Sequence, residues 1–220
     1  MKLLRDHGLA VSMFAIFAAT LIGLAFVGWS TYNQEQLDHG AAAIGLLAYL
    51  GTPNFGEAVF ENWESEFLQM GAYVLLTALL VSRGSAESKD PDAGERPGDD
   101  PTKIDRRRRG VPGPVRRGGL GLALYQHSLT IALFAIFALS FALHAVTGAG
   151  EYSADQLAHG GAAVSPLQYL ATSQFWFESL QNWQSEFLAV GALIVLSIFL
   201  RQRGSPESKP VGAPHAQTGD

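Results

Sequence analysis

Asn62–Leu68 reads NWESEFL, and Asn182–Leu188 reads NWQSEFL. The same offset of 120 positions relates FAIFA at Phe14–Ala18 to FAIFA at Phe134–Ala138. It also relates QLDHG at Gln36–Gly40 to QLAHG at Gln156–Gly160, and RGSAESK at Arg83–Lys89 to RGSPESK at Arg203–Lys209. Residues 7–89 align with 127–209 without a gap, and roughly 37 of 83 positions are identical, far above chance. The chain therefore reads as a tandem duplication of one helix–loop–helix unit.

Outward from these motifs lie four apolar segments. Leu9–Trp29 has no charge, and Leu129–Val146 is broken only by His144. Both reach the ~18 apolar residues that mark a spanning helix. Phe67–Val81 and Phe187–Leu200 are shorter. They cross roughly 30 Å of hydrocarbon at ~1.5 Å per residue only if each helix starts upstream, near Asn62 and Asn182. The first segment follows Lys2 and Arg5, as a signal peptide would. Its length, the lack of a small-x-small cleavage site and its recurrence inside the chain argue against that. The expected fold is an all-α membrane protein with four transmembrane helices and short outer-face helices. Its divisions are a first repeat at 7–89, a disordered linker at 90–120, a second repeat at 121–209 and a disordered tail at 210–220.

Composition agrees. Of 220 residues, 48% are hydrophobic and 16% charged, against about 25% charged in an ordinary soluble domain. The absence of cysteine excludes disulfides, thiolate metal sites, iron–sulfur clusters and cysteine nucleophiles. All fifteen Lys and Arg lie in the N-terminal tail, between Arg83 and Arg117, or in the C-terminal tail. The positive-inside rule then puts both termini and the linker in the cytoplasm, with loops 30–62 and 149–182 outside. Each repeat begins and ends on one side, so the copies share an orientation.

The linker opens acidic and closes basic, with Arg106, Arg107, Arg108, Arg109, Arg116 and Arg117. These arginines are candidates for anionic lipid head groups. The simpler reading is a topology signal on a solvated tether. Trp63 and Trp183 are expected as interfacial anchors in the outer aromatic belt.

Residues kept in both copies share a role or have not yet drifted. Ala15, Ala18, Ala25 and Gly28, with Ala135, Ala138, Ala145 and Gly148, fall on one helix face and read as a packing surface. Such faces also suit pairing of two chains, so a homo-oligomer is open. Asn62, Ser65 and Glu66, with Asn182, Ser185 and Glu186, fall on one sector of the second helix at ~100° per residue. Glu66 and Glu186 are expected to point inward near the outer interface. A carboxylate there serves as an ion or proton ligand, as a metal ligand, or as a helix-terminal hydrogen-bonding group. His39 and His159 are weak metal candidates, since neither HxxxH nor HExxH spacing exists. A histidine bonded to loop backbone is the simpler reading. Ser165 before Pro166 reads as a helix start, and Thr52 before Pro53 as the cap of the long second helix. Anchoring alone gives no account of why GSxESK occurs twice.

NWxSEFL, a second spanning helix and RGSxESK together resemble a bacterial membrane family with a domain of unknown function. The resemblance covers both repeats. It implies a small protein of the bacterial inner membrane and supplies no activity, so no catalytic residue carries over. No nucleotide loop, nucleophile elbow or zincin motif is visible. No cofactor and no nucleic-acid partner are expected; the bilayer is. A non-enzymatic structural or interaction role in the envelope is the favoured reading. The alternatives are a small cation or proton channel or carrier using Glu66 and Glu186, and a metal-dependent membrane enzyme.

Overall fold

The computed structural model describes residues 2–94 and 96–219. Among them the secondary structure is entirely helical: α1 Lys2–Asp38, α2 Leu46–Tyr49, α3 Pro53–Leu79, α4 Gly113–Arg117, α5 Gly119–Gln126, α6 Ser128–Ala158, α7 Pro166–Tyr169 and α8 Ser173–Phe199. Three helices are long and apolar enough to cross a membrane, over Arg5–Asp38, Ser128–Ala158 and Ser173–Phe199. They expose large apolar side chains, among them Phe14, Phe26, Leu139, Val146, Leu188 and Phe199. Such broad exposed apolar faces fit a multi-pass membrane protein.

The fourth long helix differs. At 27 residues α3 is long enough, about 40 Å at the standard rise. Yet Glu57, Glu61, Glu64 and Glu66 crowd its first half, and it does not meet the same apolarity.

Local hydrogen bonding explains where the helices stop. The first long helix of each copy ends in a Schellman turn. Gly40 and Gly160 adopt φ of +75° and +79°, a left-handed conformation open to glycine. Ala41 N–H then donates to Gln36 O at 2.8 Å and Gly40 N–H to Leu37 O at 2.9 Å. Gly161 and Gly160 repeat this on Gln156 and Leu157 at 2.7 and 3.2 Å. The first long helix of each copy is also interrupted at a histidine. His7 breaks α1 with φ −134° and ψ 20°, and His127 closes α5 before α6 with φ −114° and ψ 11°. The next long helix is capped by threonine: Thr52 Oγ1 accepts from Phe55 N–H, and Thr172 Oγ1 from Phe175 N–H, both at 3.3 Å. Ser165 starts α7 with a capping box closed by Gln168.

The chain separates into two compact units, and each draws on both sequence copies. The first contains the residues up to Phe60 with Ala142–Phe175; the second contains Glu61–Phe141 with Trp176 onward.

In the first unit, Tyr49 and Tyr169 are the centres of packing, at 1% and 0% exposure. Each ends a four-residue helix and inserts over a glycine. A Cβ at Gly28 would overlap the Tyr49 hydroxyl, and one at Gly148 would lie 2.5 Å from Tyr169 Cε1. The repeated glycines are thus seats for tyrosine rings. The return loops are held by one matched position. Asn33 exchanges two bonds with the Ile44 backbone, at 2.8 and 3.0 Å. Ser153 does the same with Val164, at 2.9 and 3.2 Å.

In the second unit, RGSxESK folds twice into the same helix stop. Gly84 and Gly204 take φ of +84° and +86°. Ser85 Oγ accepts from Glu87 N–H at 3.1 Å, and Ser205 Oγ from Glu207 N–H at 3.2 Å. Ser88 Oγ reaches back to Ser82 N–H at 2.9 Å, and Ser208 Oγ to Gln202 N–H at 2.8 Å. The motif satisfies backbone donors just beyond the helix end. The first turn is also tied to α8 and the tail: Ser85 Oγ meets Ser197 Oγ at 2.9 Å, and Gly84 N–H donates to Thr218 Oγ1 at 2.7 Å. Thr218 thus ties the tail to the first turn. The linker carries turns and the short α4.

Candidate functional site

The first unit gathers polar groups around its two tyrosines. Tyr49 packs 5.5 Å from the rings of Tyr32 and Phe55. Its hydroxyl donates to Asn54 Oδ1 at 3.3 Å, and Asn54 Nδ2 donates to Glu151 Oε1 at 3.1 Å. Burial, then the Glu151 and Glu35 carboxylates, push the Tyr49 phenol up from its ordinary value, so it stays a protonated donor.

Tyr169 has the matching neighbours, Tyr152 and Phe175, each at 5.5 Å. Its hydroxyl donates to Glu57 Oε1 at 3.3 Å. His144 is fully buried and stacks on Phe175 at 4.8 Å and 28°. A His144 ring nitrogen and a Glu57 carboxylate oxygen lie within 4.8 Å of each other. Neither residue is repeated: Leu24 and Phe177 stand at the matching positions. His144 comes from the second copy and Glu57 from the first, each without a counterpart, so repeat matching passed over them. His144 as the sole interruption of an apolar run was the signal that could have found it.

In the second unit, α3 and α8 are joined by polar bonds at the level of the NWxSEFL motifs. Asn182 Nδ2 donates to Glu61 Oε1 at 2.6 Å, and Gln181 Nε2 to the same oxygen at 3.2 Å. Trp183 Nε1 donates to Glu64 Oε1 at 3.1 Å. Glu64 is fully buried. Ser65 is buried too, and its hydroxyl donates to Asn62 O at 2.8 Å; Ser185 makes the same bond to Asn182 O at 2.8 Å. Glu66 and Asn62 are exposed, and Glu186 is half-buried. One turn along from Glu66, Gln69 Nε2 reaches the Glu186 backbone carbonyl at 3.5 Å. The acid drawn into the helix contact is thus Glu64, two positions before the one that the repeat singles out. Trp183 turns its indole N–H to that acid, and Trp63 is half-buried.

His39 and His159 lie exposed, each with Nδ1 at 2.9 Å from a backbone carbonyl one turn earlier in its helix, Glu35 O and Asp155 O. They sit at the helix ends that the Schellman turns close. Arg106–Arg109, Arg116 and Arg117 are exposed, with Arg116 and Arg117 in the last turn of α4.

A family model described as a domain of unknown function, DUF6766, matches residues 1–220. The chain belongs to this family. No curated protein and no solved structure matches it. Membership in DUF6766 brings no activity with it, so any role must be argued from the side chains above.

Proposed function

We propose that this DUF6766 chain is a non-enzymatic integral membrane protein with a structural or interaction role in the envelope of a bacterial cell. Its chain is a tandem duplication that crosses the inner membrane four times. Both termini and the central linker are cytoplasmic, and loops 30–62 and 149–182 face outward. The distribution of Lys and Arg supports that orientation. The length of α3 supports the fourth crossing. The linker arginines serve first as a topology signal, with anionic lipid as their candidate contact, and the small-residue faces suit self-association.

One observation carries the non-enzymatic reading. The residues present in both copies serve architecture: Gly28 and Gly148 seat tyrosines, Gly40 and Gly160 end helices, and Ser85, Ser88, Ser205 and Ser208 close the inner turns.

A second reading, a cation or proton carrier at Glu66 and Glu186, draws on the Gln69–Glu186 contact between α3 and α8. Reconstitution separates the two. In proteoliposomes the expected result is cation and proton flux no greater than that of empty vesicles. Flux that is abolished by Glu66→Gln with Glu186→Gln would replace the first reading with the second.

A further inference from the structure

The second unit holds a half-open cavity of about 310 Å³, within the size range of small-molecule sites. Most of its wall is apolar, including Leu76, Leu80, Phe187, Val190 and Ile194. Tyr73 and Glu87 supply polar groups. A second cavity, of about 660 Å³, reaches the same Glu87 and is lined by Ser88, Lys89, Asp90 and Arg96. Glu87 therefore stands where an apolar space meets a polar one.

The two oxygens of Glu87 differ. Oε2 accepts the Tyr73 hydroxyl. Oε1 is buried without a hydrogen-bond partner. Glu207, the matching acid of the second RGSxESK turn, lies near enough for its charge to act on Glu87. Two adjacent carboxyls hold a proton or a cation between them. The nearby lysines are committed elsewhere. Lys89 Nζ donates to Ala78 O at 2.6 Å. Lys209 Nζ donates to the carbonyls of Gly84, Pro214, His215 and Gln217. Glu87 lines the apolar cavity and has one buried oxygen unpartnered, and a charged donor makes the stronger bond to a carboxylate.

We propose that this cavity binds a lipophilic primary amine, with its alkyl chain among Leu76, Leu80, Val190 and Ile194 and its ammonium on Glu87. The ammonium group comes either from a free alkylamine or from an aminophospholipid head group. The inference does not depend on whether the protein moves ions, since its readout is binding.

Native mass spectrometry of the full chain released from detergent tests it, with dodecylamine, dodecanol and phosphatidylethanolamine added separately. Wild type is expected to keep one dodecylamine, retained at least about tenfold better than dodecanol. Glu87→Gln is expected to lose that preference. Gly191 lines the same cavity, and a Cβ there meets nothing within 4 Å, so Gly191→Leu fills the space while leaving both acids in place. It is expected to lose the amine as well. A phosphatidylethanolamine adduct that outlasts dodecylamine and vanishes in both variants assigns the ammonium to lipid. Equal retention of dodecylamine and dodecanol by wild type overturns the proposal. So does undiminished amine binding by a Gly191→Leu protein that melts like wild type, and that variant decides alone if Glu87→Gln does not fold.

Discussion

Gly148 lies directly beneath the ring of Tyr169, so that an added Cβ would stand 2.5 Å from Cε1 and 2.9 Å from the hydroxyl oxygen. The ring cannot move aside freely, because Phe175, Tyr152 and His144 pack around it. Gly148→Ala is therefore expected to cost about 1–3 kcal/mol by overpacking, despite the better helix propensity of alanine. Chemical or thermal unfolding in detergent measures it. A Gly148→Ala protein as stable as wild type would show that the tyrosine seat yields.

Trp183 and Glu64 form a second pair whose loss is predictable. Glu64 is fully buried, and the indole N–H is a donor to it. Trp183→Phe keeps most of the ring and removes the donor, with an expected loss of about 1–3 kcal/mol. Glu64→Gln in the same background is expected to recover part of that loss, because a neutral amide is cheaper to bury than a carboxylate. A double-mutant cycle gives the coupling, and a coupling of zero would remove the bond from any account of how α3 meets α8.

The inner turn predicts a pH dependence. Burial pushes Glu87 above the ordinary carboxyl range; the Tyr73 hydroxyl opposes this, and Glu207 adds to the upward push. The folded state then holds its proton more tightly than the unfolded chain. The associated stability is fully present below the unfolded value of about 4.3 and is lost as pH rises through the raised folded value. The melting temperature is expected to fall as pH rises above about 4.3 in wild type, and to fall less in Glu87→Gln. Identical pH profiles for the two proteins would contradict this.

The repeated serines of RGSxESK predict paired costs. Ser88→Ala and Ser208→Ala each remove an acceptor for a backbone N–H beyond a helix end, a loss of about 1 kcal/mol in related capping positions. The two should be similar and nearly additive. Substitution of Ala86 by serine offers a control in the same turn, outside these two bonds.

Much of the architecture was legible in residue order. Long uncharged runs announce α1 and α6, and Thr52 and Ser165 announce helix starts through their side-chain oxygens. What could not be read was which distant side chain meets each helix face. Gly28 and Gly148 read as helix-packing residues, yet their partners are tyrosines delivered by α2 and α7 across irregular loops. Glu66 drew notice because it repeats, whereas the buried acid is Glu64. Two positions on a helix differ by about 200°, and only tertiary contacts fix how α3 is rotated. The serines of RGSxESK had no account beyond anchoring until their hydrogen bonds were seen, because serine-to-backbone bonds across two and six residues leave no periodic signature. The shortfall of α3 has a plain cause: four carboxylates within its first fourteen residues lower its apolarity without shortening it.

The bond between Ser85 and Ser197 spans 112 residues of chain. A ribosome adding about 5–20 residues per second makes the second serine roughly 6–22 s after the first. Throughout that interval the first RGSxESK turn exists without α8 and without the tail that caps Gly84. Water must satisfy those groups during synthesis. Closure of this end of the second unit is therefore a late event in the life of the nascent chain, set by translation speed before it is set by any folding barrier.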